Sequence, residues 1–106
     1  MTDLDELVTE ARTAMAAPVH ERVSRCFDVL PRMLAALDHV ALYRIEVVDT
    51  RDLLTTHVRK LREAIWEAQR KHPEVTYNSG PIQREMVAIR ELLDRLERLL
   101  SAGGVA

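Results

Sequence analysis

Six apolar residues, Ile82, Met86, Ile89, Leu93, Leu96 and Leu100, follow one another at steps of four, three, four, three and four. Such steps place every side chain on one stripe of an α-helix, whereas a half-buried strand would alternate at every second residue. Leu92 and Leu99 widen the stripe. Glu91 with Arg95 and Asp94 with Arg98 are four-apart pairs on the outer faces, each contributing ~0.2–0.5 kcal/mol. A helix this amphipathic is stable only when another apolar surface covers it, so the chain must supply one or borrow one.

The cover is present upstream. From Met33 the same alternation reads Leu37, Val40, Arg44, Val47, Arg51, Leu54, Val58, Leu61, Ile65 and Ala68, with only the two arginines charged. That count predicts one long helix over 32–71, kinked near Asp49 and Thr50, and spanning about 60 Å if uninterrupted. In "ALYRIEVVDT" the β-branched residues hint at a strand, but they do not alternate with polar ones and no second strand candidate exists, so helix is the better reading. Pro73, Asn78, Ser79, Gly80 and Pro81 then supply helix-stop, turn and capping chemistry. This stretch is the corner that turns the two rows into an antiparallel hairpin, the last helix covering 81–101.

Two shorter helices precede the hairpin. Thr2 and Asp5 open one over 3–16, with Leu4, Leu7, Val8, Ala11 and Met15 on one face. Pro18 suits the first turn of a second over 18–30, carrying Val19, Val23, Cys26, Phe27 and Leu30, and Pro31 is read as its end. The fold class expected is therefore all-α: a small helical bundle of three to four helices built on a long antiparallel hairpin with coiled-coil-like seams. It forms a single domain over 1–102, with 103–106 a frayed tail after Gly103 and Gly104.

Composition narrows the function classes. The 106 residues hold 47% hydrophobic side chains but only four aromatic ones, and 30% are charged with a net of −2, which argues against wrapping nucleic acid through bulk charge. One cysteine, Cys26, allows no intrachain disulfide and fits a reducing cytoplasm, where it reads as a packed core thiol. The acidic start "MTDLDELVTE" lacks the basic head and apolar run of a signal peptide, and no stretch has the roughly 18 apolar residues that would span a bilayer. A cytoplasmic protein without membrane contact is expected.

No catalytic set emerges from spacing. His20, His39, His57 and His72 show no HExxH arrangement, and no metal or other cofactor is expected. Glu46 with Asp49, Glu63 with Glu67, and Glu91 with Asp94 sit beside basic residues at helical spacing, as on solvated salt-bridge faces. Four of these, Glu46, Asp49, Glu91 and Asp94, define an alternative class, a magnesium-dependent all-α nucleotide hydrolase. A third class, a nucleic-acid-binding regulator, would use Arg59, Lys60 and Arg62, but Glu63 and Glu67 interrupt that group. Free amides at Ile82 and Gln83 with Arg84 could hold an anion.

The leading expectation is a non-enzymatic interaction or assembly protein, an adaptor or regulator that oligomerises or docks on a protein partner through its apolar seams. Val40, Val47, Leu54, Val58, Leu61 and Ile65 form one seam; Ile82, Met86, Ile89, Leu93 and Leu96 form the other. A row from Val40 to Leu54 left in water would cost several kcal/mol at ~1.5–3 kcal/mol per side chain, so a homo-oligomer, with a dimer favoured, is expected to cover it. Arg44 and Arg51 would then set register or reach acids such as Asp38 and Glu46.

Overall fold

A computed structural model describes residues 3–41, 44–71 and 80–102, with the side chains at positions 3, 19, 20, 40, 41 and 102 outside the description. The described residues form four α-helices: α1 (Asp3–Met15), α2 (Val19–Ala41), α3 (Ile45–Lys71) and α4 (Gly80–Ala102). The all-α class and the small bundle are as the apolar spacing implies.

Cross-helix pairs fix the topology. Met15 meets Cys26 and Glu10 meets Arg32; Phe27 lies under Arg62 and Asp38 meets Arg51; His57 meets Glu85 and Arg44 meets Leu99. In each pairing one residue number falls as the other rises, so consecutive helices run antiparallel. α1 also packs on α4, while neither diagonal pair touches, which gives an up-down-up-down ring with extents of 46 × 22 × 18 Å.

The boundaries correct the sequence reading in two places. A single long helix over 32–71 does not form, and Pro31 does not end a helix over 18–30. Instead α2 runs through Pro31 to Ala41, and α3 begins at Ile45 after the chain has reversed. Burial decides both outcomes. Continuing α2 keeps Val23, Cys26, Leu30, Met33 and Leu37 on one fully or nearly fully buried stripe. Pro31 lies exposed on the outer face of α2, and beside it Arg32 Nε donates to the Asp28 carbonyl at 3.1 Å. Reversing before Ile45 lays the upper and lower halves of the long heptad row against each other, which a continuous rod could do only with a second molecule.

The reversal is anchored at Arg44. Its carbonyl accepts the first hydrogen bond of α3 from the Val48 N–H at 3.0 Å, and its Nη1 donates to the Leu99 carbonyl at 2.9 Å. Leu99 lies in the last turn of α4, where carbonyls have no intrahelical donor and the helix end carries partial negative charge, so one guanidinium ties the α2–α3 corner to the end of α4.

All four helices feed one core. Leu4, Val8 and Ala11 of α1, Leu30, Met33 and Leu37 of α2, Val47, Leu54 and Leu61 of α3, and Ile89, Leu93 and Leu96 of α4 belong to a single buried cluster. Thr50 is its one fully buried polar residue among those described, and its hydroxyl donates to the Glu46 carbonyl at 2.8 Å, so no group is left bare. Arg51 borders the same layer, paired with Asp38 and, at 2.9 Å, with Asp52, while its buried Nε finds no acceptor among the described residues. Polar groups here cost stability unless the register is right, which disfavours a slip of one helix past the other.

Pro31→Ala restores a backbone donor in the interior of α2 without touching a buried side chain. It is expected to raise stability by about 1–3 kcal/mol, read as an increased urea midpoint at unchanged m-value.

Candidate functional site

Ten of the eleven seam residues named from the sequence lie inside the bundle. Val47, Leu54, Val58, Leu61 and Ile65 on α3, and Ile82, Met86, Ile89, Leu93 and Leu96 on α4, are each no more than 8% exposed. Val40 lies in α2 with its side chain outside the described residues. The seams therefore pack on the chain's own helices, and Val47 and Leu54 need no second molecule to cover them. What a partner can reach is the outer surface.

On that surface Trp66 stands out. The chain's single tryptophan is 60% exposed on α3 and lies off the buried stripe that carries Leu61 and Ile65. Arg59, Arg62, Trp66 and Arg70 follow one another at steps of three, four and four, so they share the flank of α3 that turns toward α2. Arg62 covers the Phe27 ring of α2 at 5.5 Å, and Arg70 covers Trp66 at 4.8 Å. Exposed cation–π contacts of this kind contribute ~0.5–1 kcal/mol and hold the guanidinium plane parallel to an apolar surface. One face of the Trp66 ring is thereby covered by Arg70 while the rest meets solvent.

Charge around it is unevenly compensated. Residues 59–71 carry five bases (Arg59, Lys60, Arg62, Arg70 and Lys71) against two acids (Glu63 and Glu67), a local excess of three positive charges. Glu67 accepts from Arg70 at 2.8 and 2.9 Å and lies 3.5 Å from Lys71. The Arg70 hydrogen bonds hold its carboxyl below the usual glutamate range, with Lys71 adding to the effect. Arg59 and Lys60 make no ion pair within 4 Å among the described residues and lie exposed one to two turns from Trp66.

The other sequence candidates are placed differently. Asp94 pairs with Arg12 of α1, and Glu46 lies 3.8 Å from Arg44, so neither is an unneutralised carboxylate. Among the described residues no three of His, Cys, Asp and Glu come together as a metal-holding group. The 72–79 corner, with Val75 and Tyr77, falls outside the described residues. His57 was singled out only as one of four histidines, yet its Nδ1 sits 2.6 Å from Glu85 Oε1 on the α3–α4 seam, both side chains largely buried. No helix among those described is long and apolar enough to cross a membrane.

Cys26 is fully buried with its Sγ 3.4 Å from the Met15 sulfur; desolvation pushes its thiol up to about 11, Arg22 pulling weakly the other way. A thiol held above its unfolded value stays protonated in the fold while the unfolded chain ionises. Its contribution to stability is therefore intact below about pH 9 and lost as pH rises through about 11.

Comparisons with protein-family models, with curated proteins and with solved structures found no match.

Two measurements check this geometry. Trp66→Ala is expected to lower stability by no more than ~1 kcal/mol in urea denaturation, the contribution of the Arg70 contact, since the ring is mostly in water, and the wild-type indole should emit at the long wavelengths of a solvated tryptophan. Cys26 should resist a thiol-exchange reagent at pH 8 in the folded protein and react fully in denaturant.

Proposed function

We propose that this chain is a non-enzymatic helical interaction protein, whose working surface is the Trp66 flank of α3 rather than its heptad seams. The observation that carries this reading is a 60% exposed tryptophan, covered on one face by Arg70 and set among Arg59 and Arg62; Ile45, Leu53 and Val87 are also exposed, but none of them has an arginine stacked on it. Tryptophan and arginine supply most of the binding energy where proteins meet, because each combines a large desolvated area with a directional polar group. The basic excess selects a partner surface that is acidic. A protein partner is favoured over nucleic acid, because Glu63 and Glu67 lie within the same stretch and the whole chain is net negative.

The test is a residue-resolved NMR titration with poly-L-glutamate at low ionic strength. Shift changes should cluster on Arg59, Arg62, Trp66 and Arg70, and weaken in Arg59→Gln/Arg62→Gln. Changes confined to α1 or to the outer face of α4 would refute the assignment.

A further inference from the structure

The chain itself carries an acidic helical surface on α1. The first ten residues contain four acids and no base, and Asp5, Glu6 and Glu10 are exposed along α1 with Thr9 between them. Glu10 is partly compensated by Arg32 of α2 at 2.5 Å; Glu6 makes no ion pair among the described residues. Building on the Trp66 surface proposed above, we propose that its occupant is α1 of a second copy, with Asp5 and Glu6 meeting Arg59 and Arg62 and the Trp66 ring covered in the contact.

The ring topology dictates the kind of assembly. α1 packs on α2 and α4 and does not touch α3, so the acidic and basic helices stand on opposite corners of the bundle. They also occupy different halves of its length. Glu10 is level with Arg32, whereas Arg62 lies over Phe27 and Trp66 and Arg70 continue toward the start of α2. Within one molecule the two surfaces cannot meet. The acidic side of α1 and the basic flank of α3 adjoin α2 from different faces and at different levels, so the two contacts are assigned to two neighbours rather than to one two-fold partner. Each copy therefore offers its acidic helix to one neighbour and its basic flank to another, giving a head-to-tail series. Contacts between exposed charges are screened beyond about 10 Å at 0.1 M salt, so the series is salt-sensitive.

Light scattering with size-exclusion chromatography on the intact chain tests this, using two variants that each lose one surface. Asp5→Asn/Glu6→Gln keeps the basic flank; Arg59→Gln/Arg62→Gln keeps the acidic helix, and because neither introduces a new charge the two lost surfaces cannot pair with each other. Helicity by circular dichroism checks that both are folded, and the single variants Glu6→Gln and Arg62→Gln replace either that is not. At low ionic strength the wild type should rise in mass with concentration above 12.1 kDa and return to that mass in high salt. Each variant alone should remain a monomer, and the two mixed should form a one-to-one dimer that grows no further.

A wild type that stays monomeric at every concentration, or variants that fail to pair when mixed, would overturn the proposal. Trp66 fluorescence against poly-L-glutamate and oligo-uridylate then separates the readings. A response to poly-L-glutamate in a monomeric protein sinks self-association and leaves the interaction surface standing. A silent Trp66 in both titrations sinks the two together, and a response to oligo-uridylate alone replaces a protein partner with RNA.

Discussion

Everything in this fold depends on the chain reversing between Ala41 and Ile45. A heptad row that reads without a stop from Met33 to Ala68 could be buried in two ways: as a rod against another molecule, or as two segments against each other. The second needs only a corner and something to hold it. Arg44 supplies the hold, with its carbonyl starting α3 and its guanidinium on the Leu99 carbonyl of α4. Once the corner exists, Asp38 reaches Arg51, Phe27 reaches Arg62, and the four apolar stripes converge on a common core. α1, only 13 residues long, then closes the ring by packing on α2 and reaching α4 through Arg12 with Asp94 and Glu97.

How much of this was legible can be argued residue by residue. The row from Ile82 to Leu100 was unambiguous, because six apolar residues in strict alternation leave no competing period, and α4 spans it. The long row was legible as to face but not as to continuity, since periodicity registers which side of a helix is apolar and is blind to a reversal that preserves phase. Pro31 misled for a related reason. An interior proline costs a helix one hydrogen bond, and here the stripe from Val23 to Leu37 is buried through it, a gain that only three-dimensional packing reveals. Arg44 and Arg51 were marked as the charged members of the seam. The acids named for them, Glu46 and Asp38, do lie beside them, although the helix-capping contact with Leu99 joins residues too far apart in sequence for any local pattern to reveal.

The surface proposed for binding was harder to read than the fold. Its basic residues are visible in the sequence, whereas a lone tryptophan beside an apolar stripe carries no signal that tells a packed ring from an exposed one. Only the buried stripe, once located through Leu61 and Ile65, shows that Trp66 lies off it. Conversely, the residues that periodicity marked most strongly hold the bundle together from within. Periodic apolar pattern identifies what must be hidden, and a binding surface on a folded domain is made from what is left over.

That division within α3 has a consequence for how such a chain can change over time. The inner stripe through Leu54, Leu61 and Ile65 is buried, and the flank through Arg59, Arg62, Trp66 and Arg70 is exposed. Substitutions on an exposed flank usually cost little stability, so these positions can change while the bundle beneath them stays fixed. A single helix thus carries two sets of residues, one held by packing and the other released from it.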